Sequence, residues 1–343
     1  MKRSIRPTTP ADAAAIGALF GDVGLLTNLN PHHLHWKYWQ PRADWPQPRS
    51  FVLASGSDLL AHAAILPGVF AGGSRRVSTI QMIDWTARRG EAGAGVAMMK
   101  YIAQLAESLL SIAGGAETLR ILPHVGFRPV GVASAYVRTL FPSRLLRDKE
   151  IPRWRRWPRV ARSVAWALTA PSSRRGQFEV RRLVGEDVNR IASVLPVPIR
   201  EMAVLERSVE LFRYMISCPD VPMALYAVER AGILRGYFLL ACVPGQVRIA
   251  DCWMNSDDPA DWRALIFCAV DEAKRDAQAA EVVSWASDPL MAQTLQSCGF
   301  HARYEIPVQI RAATATMPAP PLRVQMLDND AVFLHQGRNE FWA

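Results

Sequence analysis

The alternation of apolar and polar residues predicts a β-hairpin in each half of the chain. Residues 51–54 and 61–64 form two short apolar runs around the turn-forming residues 55–58. Apolar runs of this length, separated by Gly, Ser and Asp, are typical of paired antiparallel strands. The pattern returns at residues 226–229 and 236–239, which places the counterpart of residue 51 at residue 226, 175 positions later.

Three further landmarks recur in the same order at shifts between 167 and 175 positions. They are Ile5-Arg6-Pro7 with Val180-Arg181-Arg182, Asp84-Trp85 with Asp251-Cys252-Trp253, and Gly126-Phe127-Arg128 with Gly299-Phe300-His301. Chance can produce one such pair, whereas four in one order indicate a duplicated domain.

Helical spacing of apolar residues predicts the other elements of each repeat. A helix follows Pro10 and covers residues 13–20, and longer helices are predicted at 96–112 and 262–273. Strands that alternate with helices predict an α/β fold with a mixed sheet. The predicted organisation is a first domain at 1–140, a linker at 141–176, a second domain at 177–312 and a tail at 313–343.

The linker carries most of the net charge. The whole chain has a formal charge of +9, and residues 141–175 contain ten Lys and Arg against two acids, which gives this segment +8. Trp154, Trp157 and Trp166 are interleaved with the arginines. A simple connector with a helix at 158–168, a peripheral contact with an anionic membrane, and nucleic-acid binding are all compatible with this composition. No known nucleic-acid module accompanies the segment, so nucleic acid is the least favoured partner.

Composition excludes several classes of protein. The five cysteines are odd in number and widely spaced, without a CxxC pair, which favours reduced thiols and disfavours a structural zinc site. Secretory-signal and membrane-spanning patterns are missing, so the expected location is the cytoplasm, with the inner face of a membrane as a peripheral site. The absence of G-x-S-x-G and Walker sequences disfavours hydrolase and phosphotransfer chemistry.

Three stretches of the first repeat resemble the GNAT acyltransferase superfamily: Ile5-Arg6-Pro7 with Pro10-Ala11-Asp12, Gly93-Ala94-Gly95-Val96, and 119–128 with its final Gly126-Phe127-Arg128. Residues 178–310 resemble a second copy of the fold. The resemblance implies two GNAT-like domains in tandem, each with a sheet that splays in the middle. It also implies an N-acyltransferase that moves the acyl group of acetyl-CoA or another acyl-CoA to an amine. The pattern is similar to uncharacterised GNAT proteins linked to surface polysaccharide synthesis, which implies an amino sugar or a lipid-linked sugar as acceptor.

The glycine-rich turn is the predicted cofactor site. Glycine lets the backbone approach a pyrophosphate closely, and the N-terminus of the following helix supplies N–H donors. The predicted cofactor residues are Arg88, Arg89, Gly90, Gly93, Ala94, Gly95, Val96 and Glu117. The resemblance places Glu117 near the pantetheine arm, and a structural role as an acid at a helix start is its alternative. Position 90 departs from the family's Arg or Gln. The second repeat has three Asp and no Gly at 255–261, so it is not expected to bind CoA in this way.

Amine acylation needs a base for the ammonium proton and a proton donor for the thiolate. The resemblance assigns the donor to positions 122 and 295, where this chain has Leu122 and Leu295, so the usual acid is missing. Asp84, near the end of a predicted strand, is the first candidate for the base, and an ion pair or a turn cap is its structural alternative. The further candidates for proton transfer are His62, His124 and Tyr136.

An aromatic segment, Trp36, Tyr38 and Trp39, follows three histidines. In the family that the chain resembles, this region covers the acceptor site, so these three residues are candidate acceptor contacts. Packing of the rings onto the sheet is the alternative. No carboxylate or cysteine accompanies the histidines, and no metal site is predicted.

Two other functions stay open. The missing acid favours a non-catalytic GNAT-fold binding or accessory protein, and the glycine turn disfavours it. The charge of +9 permits an aminoacyl-tRNA-dependent transferase of the peptidoglycan type, which the same turn also disfavours.

Overall fold

The chain forms two compact units, neither of which is one continuous segment. The computed structural model describes residues 3–25, 27–72, 75–91, 93–147, 152–197, 202–312, 322–335 and 341–343. Unit 1 consists of Met1–Gly131, Pro198–Glu206 and Pro307–Leu322. Unit 2 consists of Val132–Val197, Arg207–Ile306 and Arg323–Ala343.

Unit 1 is built on the antiparallel ladder that the hairpin pattern predicts. Its strands follow one another as β1 (Arg3–Pro7), β2 (Ser50–Ser55), β3 (Asp58–Gly72) and β4 (Arg75–Ala87), and β5 (Ser108–Ile112) joins β4 in parallel. The helices are α1 (Ala13–Val23), α2 (Pro31–Leu34), which continues as a π-helical turn at His35–Trp39, α3 (Ala94–Ile102) and α4 (Ala116–Ile121).

Side-chain alternation along β2 fixes which helices cover which face of this sheet. Phe51 and Leu53 pack in the hydrophobic cluster that contains Met98 and Met99 of α3. Val52 lies on the other face, in a cluster with Ile16, Leu19 and Phe20 of α1. Successive residues of a strand point to opposite faces, so β2 is covered on both sides.

Unit 2 repeats this arrangement. Its first strands are β7 (Phe178–Leu183), β9 (Met223–Arg230), β10 (Ile233–Val243) and β11 (Gln246–Met254), which pair antiparallel in that order, and β12 (Glu281–Ala286) joins β11 in parallel. The helices are α5 (Arg153–Thr169), α6 (Val209–Ile216), α7 (Pro259–Ala273) and α8 (Pro289–Ser297). Two further strands are short: β8 (Ala203–Leu205), which belongs to unit 1, and β14 (Leu322–Arg323).

The last strand of each repeat extends the sheet of the opposite unit. β6 (Arg128–Thr139) ends the first repeat, yet its residues 134–139 pair with β12 of unit 2. β13 (His301–Ala312) ends the second repeat, and its residues 308–312 pair with β5 of unit 1. The compact units therefore exchange chain segments, in contrast to the continuous segments 1–140 and 177–312 predicted from the sequence.

The predicted helix at 96–112 is wrong in its second half. Helix α3 ends at Ile102, and residues 108–112 form the strand β5 between β4 and β13. Four of these five residues are buried. A strand that is covered on both faces has a continuous apolar run, which periodicity alone does not distinguish from a helix.

Other predicted elements are confirmed with adjusted bounds. Both hairpin turns occur as predicted, at 56–57 and 231–232, and α7 covers 262–273. The linker helix begins at Arg153 instead of residue 158, and the predicted terminal strand at 322–327 is limited to β14. Residues 313–321 of the tail lie outside the described residues. All five cysteines lie in the described ranges and none forms a disulfide, and these ranges contain no helix long and apolar enough to cross a membrane.

The close packing of β10 on β11 gives a test of the sheet in unit 2. A Cβ at Gly236 would collide with the carbonyl oxygen of Trp253, on the neighbouring strand. We expect Gly236→Ala to lower the free energy of unfolding by about 1–3 kcal/mol, because the backbone has no room to move apart. The measurement is urea unfolding followed by circular dichroism.

Gly17 in α1 is the matched control, since a Cβ there has no atom within 4 Å. Gly17→Ala should leave stability unchanged or raise it by up to about 1 kcal/mol, because alanine favours the helix. If Gly236→Ala were as stable as Gly17→Ala, the close packing of β10 on β11 at Gly236 would be contradicted.

Candidate functional site

The sheet of unit 1 opens between β4 and β5. These strands pair in parallel only where residues 79–81 meet residues 108–110, although β4 continues to Ala87. Its pairing with β3 is irregular between His62 and Ala64, opposite Asp84, and Asp84 has a left-handed φ of 47°. A bulge of this kind bends a strand away from its neighbour. The structure therefore shows the splayed sheet that the sequence resemblance implies.

A groove of about 700 Å³ lies at this opening. Its walls come from the end of β4, the turn before α3, the first turns of α3 and α4, and the end of α1. The lining residues are Val23, Trp85, Thr86, Ala87, Arg89, Glu91, Gly93, Gly95, Val96, Glu117, Thr118 and Ile121.

The turn before α3 needs its glycines. Gly93 is the residue that precedes α3 and has a φ of 80°, and Gly90 has a φ of 86°, conformations that L side chains rarely adopt. Gly95 lies against Trp85, whose indole Nε1–H donates to the Gly95 carbonyl oxygen over 3.0 Å. The first N–H groups of a helix have no intrahelical acceptor, so the start of α3 presents donors and a favourable dipole to an anion.

Five of the eight predicted cofactor residues line the groove: Arg89, Gly93, Gly95, Val96 and Glu117. The other three, Arg88, Gly90 and Ala94, lie in the same turn and shape it. The charge of the lining is mixed, because it contains Arg89 and two glutamates. Glu91 is one of them and is paired with Arg3 over 2.8 Å.

Asp84, the first candidate for the base, is a buried ion-pair partner. Lys37 Nζ lies 2.6 Å from its Oδ2, and the Tyr38 hydroxyl donates to the same oxygen over 2.6 Å. Burial raises the pKa of the Asp84 carboxyl, but the charge of Lys37 and the hydrogen bonds of Lys37 and Tyr38 outweigh it and hold this pKa below its usual value. A carboxylate held in this way is a weak base. Sequence reasoning missed Lys37, whose only signal is a lysine within an otherwise aromatic segment.

His62 is completely buried, and both of its ring nitrogens have partners. Nε2 lies 2.9 Å from Ser50 Oγ, and Nδ1 lies 3.0 Å from the backbone oxygen of Asp84. Ser50 is bonded in turn to Thr8, which accepts a hydrogen bond from the Trp39 indole. Burial lowers the pKa of His62 to about 4, so the ring is neutral near neutral pH and links β2, β3 and β4.

The other residues considered for proton transfer do not lie together. Leu122, at the position of the usual acid, is buried in the hydrophobic cluster of unit 1, and His124, two residues later, is exposed. Tyr136 belongs to unit 2, where it packs in the hydrophobic core and burial raises its pKa. The groove lining includes none of these three residues.

The aromatic segment lines a second groove in unit 1, of about 660 Å³. Tyr38 and Trp39 contribute to its wall together with Trp45, and Trp36 is buried beside it. The Tyr38 hydroxyl bonds to Asp84, whose neighbour Trp85 lines the first groove. Tyr38 thus connects the lining of the second groove to the bulge of β4 through a buried hydrogen bond. Among the described residues, no three His, Cys, Asp or Glu side chains form a group that could hold a metal ion.

Unit 2 has a buried ion pair at the corresponding place. Asp251, the counterpart of Asp84, lies 2.8 Å from the guanidinium of Arg207 and accepts a hydrogen bond from the Tyr237 hydroxyl over 2.7 Å. Arg207 also pairs with Asp328 of the tail over 2.7 Å. Recurrence of the pair in both repeats supports the structural alternative for Asp84.

The opening between β11 and β12 in unit 2 is filled by the chain itself. Those strands pair only as far as Ile249 and Ser284. Beyond this point, the amide of Gln325 accepts from the Cys252 backbone N–H over 3.0 Å and donates to the Cys252 carbonyl oxygen over 3.2 Å. Cys252 is the counterpart of Trp85, which lines the groove of unit 1. In addition, the side chain of Asp258 caps the start of α7 through the Ala260 N–H.

Solved structures resemble the chain over most of its length. A GCN5-related N-acetyltransferase from Anabaena variabilis is 11% identical with a TM-score of 0.58, and the match covers 90% of this chain and 72% of that one. Saccharomyces cerevisiae N-myristoyltransferase with bound myristoyl-CoA is 13% identical with a TM-score of 0.61, over 90% and 78%. A GCN5-related N-acetyltransferase from Kribbella flavida is 14% identical with a TM-score of 0.56, over 92% and 72%. No protein-family model and no curated protein matches the chain.

These matches show the fold. The chain has the mixed α/β fold of GNAT N-acyltransferases, and the large mixed sheet matches tandem GNAT structures. The predicted fold class, an α/β mixed sheet with two GNAT-like domains in tandem, is therefore confirmed. At these identities the likeness extends to the fold alone.

The buried pair in unit 1 can be tested through stability. Lys37→Met keeps most of the side-chain volume but leaves the Asp84 carboxylate without its counter-charge. We expect the variant to lose about 3–5 kcal/mol of unfolding free energy, because a buried charge is uncompensated. Lys37→Met with Asp84→Asn should recover most of the loss, and Asn also tolerates the left-handed φ. Urea unfolding measures the stability of the single and the double variant. If Lys37→Met alone were as stable as the original chain, the buried pairing of Lys37 with Asp84 would be contradicted.

The depressed pKa of His62 predicts a pH dependence of stability. In the unfolded chain the ring binds a proton below its ordinary pKa of 6.5, whereas the folded ring binds one only near pH 4. Stability is therefore present above the unfolded pKa and falls as the pH falls toward the folded value. The contribution of His62 to the loss between about pH 7 and pH 5 is about 2 kcal/mol. His62→Gln should show a shallower pH dependence in urea unfolding, and an equally steep one would contradict a neutral buried ring.

Proposed function

We propose that the protein is an acyl-CoA-dependent N-acyltransferase whose cofactor binds in the groove of unit 1. The observation that carries the proposal is the contrast between the two units. Unit 1 has an open groove where its strands diverge, next to a glycine-rich helix start. At the corresponding place in unit 2, Gln325 bonds to the strand backbone and Asp258 caps the helix.

The residues of the groove fit an acyl-CoA. The N–H groups at the start of α3 suit a pyrophosphate, with Arg89 as a nearby cation. The end of β4 suits the amides of a pantetheine arm, because Cys252 at the corresponding position of β11 already binds an amide, that of Gln325. The thioester of the bound cofactor supplies the activated acyl carbon.

The missing acid at Leu122 is compatible with catalysis. A thiol has an ordinary pKa of about 8.5, so a departing thiolate needs little help from a proton donor near neutral pH. Leu122 is instead part of the hydrophobic cluster under α3 and α4. We assign Asp84 and His62 to positioning, since their hydrogen bonds hold Tyr38, Ser50 and the bulge of β4 together.

The second groove is the proposed acceptor site. Its aromatic wall, with Tyr38 and Trp39, suits the apolar face of a sugar ring, and the Tyr38 hydroxyl lies at the bulge of β4. The proposed acceptor class is an amino sugar or a polysaccharide precursor, and acetyl-CoA is the first cofactor to test, followed by longer acyl-CoA thioesters.

Binding stoichiometry and a single substitution test the proposal. Isothermal titration with acetyl-CoA and a long-chain acyl-CoA should give one site per chain, because the corresponding opening in unit 2 is filled. Gly93→Asp should weaken binding about tenfold or more, since it places a carboxylate at the anion site and strains a positive φ. Gly185→Asp is the matched control, because Gly185 also has a positive φ, of 55°, but does not belong to the lining of the groove.

The outcomes separate the alternatives. Thiol release from the bound acyl-CoA in the presence of amino sugars supports the transferase, and binding without turnover over a panel of amines indicates a non-catalytic protein. Absence of binding, or equal binding by the Gly93→Asp and Gly185→Asp variants, rejects the cofactor site. Purification with bound tRNA would instead favour the aminoacyl-tRNA-dependent transferase.

A further inference from the structure

Helix α5 of unit 2 has an unusual distribution of charge. It spans Arg153–Thr169, 17 residues, with five arginines and no acidic residue. It lies within the segment 141–175, whose net charge is +8. The rest of the chain therefore has a net charge close to zero, and anionic partners are attracted chiefly to this segment.

The side of α5 that faces solvent is apolar. Its members recur at three- and four-residue spacing, which places them on one face of a helix. Trp157 is 65% exposed and Leu168 is 80% exposed. The complete set on this face is Trp154, Trp157, Pro158, Ala161, Val164, Ala165 and Leu168, all of them exposed.

The opposite side of α5 is fixed to unit 2. Val160 and Ser163 are buried. The Arg159 guanidinium donates to the backbone oxygens of Phe341 and Ala343 over 2.6 and 2.5 Å. Trp166 stacks on His301 with ring centroids 4.1 Å apart. The helix therefore directs Arg159 toward unit 2 and a face of apolar residues toward solvent, whereas an ordinary surface helix exposes its polar face.

Positive charge borders the apolar face. Arg162 on α5 and Arg303 on β13 are both exposed, and each guanidinium lies over the Trp166 ring, at 5.0 and 5.5 Å from its centroid. Burial lowers the pKa of Arg162, and repulsion from Arg303 and Arg159 lowers it further, because the positive charges lie near one another. An exposed apolar stripe with cationic borders, rich in Trp, is suited to the headgroup region of a bilayer.

We propose that the exposed face of α5 binds the surface of membranes that contain anionic phospholipids, with the helix lying in the plane of the interface. Nucleic acid is a poorer fit, because its phosphates need arginines at the centre of the contact, where α5 has tryptophan and leucine. A second copy of the chain is also a poorer fit, because it would bring two +8 segments together. The proposal does not depend on the acyltransferase function.

Co-sedimentation of the full chain with vesicles tests the proposal. We expect binding to vesicles of phosphatidylcholine with phosphatidylglycerol, weaker binding to phosphatidylcholine alone, and a loss as salt rises to about 1 M. Leu168→Glu should weaken binding about tenfold or more, because it removes a large apolar side chain and adds an anion. Ile233→Glu is the matched control, since Ile233 is 62% exposed in unit 2 but lies outside α5.

Tryptophan fluorescence gives a second readout. Insertion of Trp154 and Trp157 into the interface should shift the emission to shorter wavelength, and Trp157→Ala should reduce the shift. Failure to sediment at low salt, or equal loss in Leu168→Glu and Ile233→Glu, would overturn the proposal. A dimer abolished by Leu168→Glu in the absence of lipid, or nucleic-acid binding lost in that variant, would overturn it in favour of those partners.

Discussion

Where two parallel strands diverge, their backbone N–H and C=O groups can no longer bond to each other. The structure of both units depends on how the backbone groups at this opening find other hydrogen-bond partners. Buried peptide groups must form hydrogen bonds somewhere. In unit 2 the Gln325 amide bonds to both backbone groups of Cys252, and the tail thereby takes the place of a strand. In unit 1 the corresponding stretch, from Trp85 to Ala87, lines an open groove. The divergence of two parallel strands is thus filled by Gln325 of the tail in unit 2 and leaves an open groove in unit 1.

The bulge that causes the divergence is held by charge in both repeats. Asp84 is paired with Lys37 in unit 1, and Asp251 with Arg207 in unit 2. A buried carboxylate is stable only with a partner that offsets its desolvation, so each cation ties a helix–loop segment to the bulged strand. In unit 1 the neutral ring of His62 adds a second tie, because it bonds to Ser50 on β2 and to the backbone of Asp84 on β4. These contacts join β2, β3 and β4 to the segment that contains Lys37, next to Trp85, which lines the groove.

The two helix starts differ in a way that follows from single residues. Gly93 precedes α3 with a positive φ and offers no side-chain oxygen, so no side chain caps the start of α3, where the Ala94 N–H donates to the backbone oxygen of Glu91 over 3.2 Å. Asp258 precedes α7 and accepts the Ala260 N–H with its own carboxylate, which satisfies a donor and adds negative charge. The same helix start is thus uncapped by any side chain in one unit and capped by a carboxylate in the other.

Residue pattern alone determined the repeats, the hairpins, the fold class, the glycine turn and the basic segment, because strand alternation, turn residues and local charge are local properties. Tertiary structure decided the rest, because each of the other features joins residues that are distant in sequence. The apolar run at 108–112 became β5 instead of helix only because two strands flank it. Lys37 meets Asp84 across 47 residues and Gln325 meets Cys252 across 73, and no periodicity indicates either contact. The arginines and tryptophans of α5 were visible in the sequence, but which face would be turned to solvent was decided by the packing of Arg159 and Trp166 on unit 2.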